Sequence, residues 1–250
     1  MGRSKNILTL LAFLLVWTWP ASLLADDTGL IVSAGLEKKI DKKWSAEFEA
    51  EFRSRNDFRT ADRVALGLSA SYKVTRWLKA DAGYQLLIDN NHEKLTYNLD
   101  GNYNNWRPSY WGTRHRVYAS LQASYKWNRV TFSLRERWRY TYRPETTTTR
   151  YDFDNEQWED TQVRSKGRHM LRSRLKAEWN VPKCKLTPWA SAELFNDMSL
   201  AKTRWSLGGD YSLQKKHKFT LFYRYQHIIC QDDDGETGSH SVGLGYSFKF

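Results

Sequence analysis

Two sets of charged residues at period-two spacing are the features of this 250-residue chain most suggestive of chemistry: Glu47, Glu49 and Glu51, and Arg135, Arg137 and Arg139. A side chain at every second position lies on one face of an extended strand. Arg172 and Arg174 repeat the spacing, and Arg116 and Arg224 occupy the matching faces of their own segments. If strands carrying these rows close on themselves, both signs meet inside. Such a lumen can act as a selective path for small anionic solutes. It can equally be a plug of mutually neutralising charges.

Three smaller clusters offer other chemistry. Ser239-His240-Ser241 holds the residue types of nucleophilic catalysis, but a serine needs a base within hydrogen-bond reach, and alternation turns His240 away from both serines. No acid partner is identifiable, so a lipid hydrolase at a rim is only a third alternative and no enzyme is expected. Asp232-Asp233-Asp234-Gly235-Glu236 gathers hard oxygens but lacks the spacing of a calcium loop, and reads as a solvated turn. No metal or cofactor is implied. The two cysteines, Cys184 and Cys230, form an even pair.

The elements that position these residues alternate apolar and polar side chains almost throughout. Trp44 to Arg53 sets Trp44, Ala46, Phe48, Ala50 and Phe52 against the glutamates. Leu30 to Leu36, 63 to 73, 78 to 86 and 116 to 126 follow the same rule, as do 129 to 142, 168 to 180, 185 to 195, 203 to 213, 217 to 229 and 239 to 250. At a mean hydropathy of −0.72, no multi-helix membrane bundle fits. With 15% aromatic residues, the chain is no disordered polymer. Residues 1–25 read as a cleaved signal peptide: Arg3 and Lys5, an apolar run from Ile7 to Trp19, then small residues to Ala25. Residues 26–250 are the mature domain. Export removes nucleic acid from the partners that a net charge of +11 would otherwise suggest.

Tight connections at 41–43, 75–76, 128, 182–183 and 214–216 alternate with loose ones at 54–61, 89–113, 143–166, 196–202 and 230–238. Short turns on one side and long loops on the other are the plan of an antiparallel outer-membrane β-barrel with periplasmic turns. A β-sandwich also alternates, but its strands run ~5–6 residues, whereas these are long enough to cross a bilayer at a tilt. Trp44, Trp127 and Trp179 fall on the apolar face beside tight turns, where an aromatic girdle belongs. Glu136 breaks the pattern by pointing into lipid, to be relieved by a bulge or a protomer contact.

The chain ends Val242-Gly-Leu-Gly-Tyr246-Ser-Phe248-Lys-Phe250, alternating to a terminal aromatic. Tyr246, Phe248 and Phe250 resemble the signal read by the barrel-assembly machinery, an expected partner beside the outer-membrane lipid bilayer. Together with Gly29-Leu-Ile-Val-Ser-Ala-Gly-Leu-Glu-Lys-Lys, Lys42-Lys43-Trp44 and the Glu/Phe strand after it, the chain resembles the outer-membrane barrel family known as domain of unknown function 2490. The resemblance implies location and fold, and no reaction. Eleven segments alternate, yet single-chain bacterial barrels normally have even strand numbers, so the expectation is ten to twelve. Open aqueous channels belong to ~16 strands or more, which favours the plug and a structural or surface-interaction role over a narrow pore.

Overall fold

The structure is a computed structural model describing residues 27–214, 216–230 and 238–250. The signal-peptide reading and the Asp232–Glu236 cluster lie outside the described residues. Eleven strands form a closed barrel: β1 (Asp27–Lys39), β2 (Trp44–Arg55), β3 (Thr60–Lys73), β4 (Leu78–Asn91), β7 (Tyr110–Trp127), β8 (Val130–Arg143), β11 (Lys166–Trp179), β12 (Leu186–Asp197), β13 (Ser199–Leu213), β14 (His217–Ile228) and β15 (Ser239–Lys249). Neighbours pair in chain order and antiparallel, except that β1 closes on β15 in parallel. No described helix is long and apolar enough to cross a membrane, which leaves strand-based crossing open.

The strand count resolves the even-number tension in an unexpected way. No segment is lost and none is added: β1 starts at the long-loop end beside Ser239 and runs alongside β15, so an odd number closes through one parallel pair. Lys249 Nζ to Glu37 Oε1 (2.7 Å) and the backbone bond from Phe250 N to Glu37 O (3.0 Å) fasten the seam at the short-turn end.

Three connections differ from expectation. Residues 196–202 are not a loose loop. A register shift between Phe195 and Asn196 lets β12 continue to Asp197, and Met198 alone, at φ 59°, turns the chain into β13. The long loops 89–113 and 143–166 are not irregular either. They hold β5 (Lys94–Tyr97), β6 (Tyr103–Arg107), β9 (Thr146–Asp152) and β10 (Gln157–Val163), which join in one four-stranded sheet. Leu95, Trp106, Tyr151 and Trp158 form a single cross-strand row there, with Trp158 packed 5.8 Å from Trp106 and 5.4 Å from Tyr151. Aromatic cross-strand pairs of this kind supply the sheet stability that the loops' polar composition conceals.

The barrel inverts the usual rule of burial. Leu68, Leu121, Leu175 and Leu221 stand outward at 55–62% exposure, while Glu193, Arg204 and Asp89 are buried inside. Trp44, Trp127 and Trp179 lie exposed on the outer face at the short-turn end, with Phe219 and Tyr246 in contact beside them. An apolar outer band with flanking aromatics is what a lipid solvent requires.

Glu136 keeps its outward position. The register of β8 with β7 and with β11 contains no shift, so no bulge relieves it. Ser173, its direct partner on β11, donates a hydrogen bond to Oε2 at 2.7 Å and supplies part of the lost hydration.

Candidate functional site

The ten charged residues expected in the lumen, Glu47, Glu49, Glu51, Arg116, Arg135, Arg137, Arg139, Arg172, Arg174 and Arg224, all line one internal chamber of about 550 Å3. The barrel brings them together because each lies on the inward set of its strand's alternation. Tyr246, Phe248 and Phe250 belong to the outer face and periphery: Phe248 and Phe250 rings stack at 5.8 Å, and His217 bonds the Tyr246 hydroxyl at 2.9 Å.

Several of the arginines are paired. Arg137 Nη2 donates to Asp81 Oδ2 at 3.0 Å, and its guanidinium lies 4.0 Å over the Tyr118 ring, which itself lies against the Cβ-less surface of Gly83. Glu193 receives Arg172 at 2.5 Å and Arg204 at 3.4 Å. Glu51 holds Arg53 at 2.7 Å, and Asp89 binds Arg63 and, at 3.2 Å, Arg114. Pairing nonetheless covers only part of the charge. Fourteen Lys and Arg side chains line the chamber against five Asp and Glu, and Asp89, Glu178 and Glu193, which pair with lining cations, bring the carboxylates to eight.

Above the chamber, toward the long-loop end, lie two smaller pockets of about 110 and 60 Å3. Seven residues border both the chamber and one of these pockets: Arg53, Arg63, Arg116, Arg139, Lys202, Arg204 and Arg224. All seven are basic, and they come from β2, β3, β7, β8, β13 and β14, so six of the eleven strands contribute to a basic ring at this level. Phe195, fully buried, fills the ring's flank with Arg204, Arg172, Arg139 and Lys202 at 4.8 to 5.4 Å from its centroid. Cation–π contact lets like charges crowd around one apolar side chain. Arg53, Arg63, Lys202 and Arg204 did not stand out in the sequence. Arg53 continues the glutamate row and was legible there, but reading 196–202 as a loop hid the inward setting of Lys202.

The Ser239-His240-Ser241 cluster is divided by its strand. Both serines line the interior pocket, whereas His240 stacks on Tyr225 at 4.8 Å and bonds the Tyr223 hydroxyl on the other side. Among the described residues no group of three His, Cys, Asp or Glu side chains is placed to hold a metal ion.

The model of the family described as "Protein of unknown function (DUF2490)" matches residues 29–236 of this chain. The chain belongs to this family. The match runs from within β1 to past the end of β14 and so takes in ten of the eleven barrel strands, with β15 beyond it. No curated protein sequence matches the chain. Among solved structures, the DUF2490 barrel is similar to the NanC porin, at 13% identity and a TM-score of 0.47, covering 90% of this chain and 100% of that one. It is similar at the same identity and TM-score to the beta domain of the Bordetella autotransporter BrkA, covering 81% and 79% of the two chains.

Proposed function

We propose that this protein is a non-enzymatic barrel of the outer membrane whose lumen is a narrow conduit for small anions. The observation that carries the reading is the excess of fourteen cations over the eight carboxylates that line an internal polar chamber or pair with its cations, continued by an all-basic ring. A plug built from mutual neutralisation needs near parity between the signs. Here the surplus must be balanced by anions drawn from solution, and a confined field of one sign concentrates them. The outward leucine band, the aromatic girdle and the signal-peptide pattern of residues 1–25 support the location, and the barrel-assembly machinery is the partner that the aromatic C-terminus suggests.

The test is planar-bilayer conductance of the refolded barrel under a potassium chloride gradient. Discrete events with a reversal potential on the chloride side support the conduit. Silence at all voltages would return the chain to a structural or surface-interaction role, and cation preference would contradict the charge argument. A lipid-release assay on the same preparation checks the non-enzymatic part.

A further inference from the structure

The chamber's charges are unevenly paired, and the unpaired ones are separated across it. Arg135 and Arg174 are direct cross-strand neighbours on β8 and β11, although like charges set opposite each other repel. Neither makes a hydrogen bond or ion pair with any described residue; the carboxylate nearest them in register, Glu193 opposite Arg174 on β12, is instead bonded to Arg172 and Arg204 and reaches this pair only through its field. They continue the column Arg137–Arg172, whose members each have a carboxylate partner. Across the lumen, β2 presents Glu47 and Glu49, also without hydrogen bonds or ion pairs among the described residues, and Glu49 lies within the electrostatic reach of Arg137.

Three strands lie between β2 and β8 in one direction and five between β2 and β11 in the other, so the two sets face each other across the ring. Eleven strands spaced by ~4.8 Å and tilted by ~40° close at a backbone diameter of roughly 22 Å. The side chains leave a gap of roughly 10 Å between the charged groups. Two adjacent guanidiniums accept a carboxylate through paired hydrogen bonds, and two carboxylates accept an ammonium. An extended residue spans at most ~3.6 Å, so one or two residues plus a hydrogen bond at each end match that gap. The chamber volume of about 550 Å3 falls within the ~300–1,000 Å3 range of small-molecule sites.

Resting on the conduit reading above, we infer that the chamber is a site for a small zwitterion of amino-acid to dipeptide size, its carboxylate on Arg135 and Arg174 and its ammonium on Glu47 and Glu49. A simple anion path has no use for two unpaired glutamates facing its arginines. A zwitterion uses both walls, and the transverse field orients it.

The test is isothermal titration of the full-length refolded barrel in detergent with alanyl-alanine, with N-acetyl-alanyl-alanine (acid only) and with alanyl-alanine amide (amine only). The free dipeptide is expected to bind at least tenfold more tightly than either capped form. Glu47→Gln with Glu49→Gln should abolish that advantage by weakening the free dipeptide at least tenfold, while the acid form binds at least as tightly as before, since two repelling carboxylates are lost. Arg135→Gln with Arg174→Gln should weaken the free dipeptide and the acid form together. Native-like mobility of unheated samples on gels confirms that each variant is folded, and removing unpaired like charges favours folding. Equal binding of the free and acetylated dipeptides, or binding of neither, overturns the zwitterion site. Because titration does not require conduction, a silent bilayer alongside tight dipeptide binding would refute the conduit alone, and anion-selective currents without dipeptide binding would refute the site alone.

Discussion

Glu193 is the test of whether the buried charges on the β11–β13 wall hold the barrel together. Its side chain is 5% exposed, and its oxygens meet Arg172 (17% exposed) at 2.5 Å and Arg204 (9% exposed) at 3.4 Å. These pairs are too buried for the screening that makes surface ion pairs nearly worthless. Breaking a buried pair by deleting one partner costs ~3–5 kcal/mol, because the remaining charge has neither water nor counter-ion. Glu193→Ala would take the carboxylate from Arg172, which lies directly opposite Arg137 on β8, and one acceptor from Arg204, whose Nη2 keeps Gln226, so a loss of roughly 4 kcal/mol is expected. Glu193→Gln keeps the shape and one acceptor but not the charge, and should lose about 2 kcal/mol. Adding Arg172→Ala to Glu193→Ala should recover part of the loss, since the second change removes a stranded cation. The measurement is urea-induced unfolding in lipid vesicles, followed by tryptophan fluorescence and by the mobility of unheated samples on gels. If Glu193→Ala and the parent protein agree within about 1 kcal/mol, the wall is hydrated enough to tolerate the charges, and the argument for a tightly held basic ring fails.

Other expectations concern topology and local chemistry. In a cysteine-free background, cysteines at Asp100 and Asn155 should react with a membrane-impermeant thiol reagent on intact cells and one at Asn128 should not; the opposite pattern would invert the barrel. Cys184 follows the short turn after β11 and Cys230 follows β14 at the other end, both exposed and unbonded, so alkylation should capture both without prior reduction. Recovery of a Cys184–Cys230 disulfide peptide would contradict the register. Backbone N–H groups of Trp44 and Lys43 donate to the Asp41 carboxylate at 2.6 Å each and hold its pKa below the ordinary 3.8. A depressed carboxyl stabilises fully above its unfolded value and stops doing so as pH falls through the folded one. Asp41→Asn should therefore lower stability at pH 7, and the gap to the parent should close in strong acid. Phe222 lies across Gly243, with ring atoms only 2.0 to 2.4 Å from where a Cβ would stand, so Gly243→Val should prevent or greatly slow assembly, read as loss of the gel-shifted folded band.

Alternation was sufficient to derive the strands, the inward charged set and the outward apolar one, because a period of two leaves each side chain only one choice of face. All ten expected lumen residues share one chamber for that reason. Loop composition misled where pairing was long-range. Nothing local in 89–113 or 143–166 announces a sheet, since Trp106, Tyr151 and Trp158 acquire their partners only when two loops meet. The one-residue turn at Met198 likewise depends on a register shift that only the β12–β13 ladder specifies.

The sequence by itself determined an antiparallel wall, its outward apolar band and the sign of the residues within, all consequences of spacing along one strand. Only the tertiary structure decided how the wall closes and which charges find partners. The parallel β1–β15 seam, the pairing of Glu193 with arginines from β11 and β13, and the separation of Arg135 and Arg174 from Glu47 and Glu49 across the ring all depend on distances between strands far apart in the chain. Those distances are set by strand number, tilt and register around the whole barrel, which no single segment encodes.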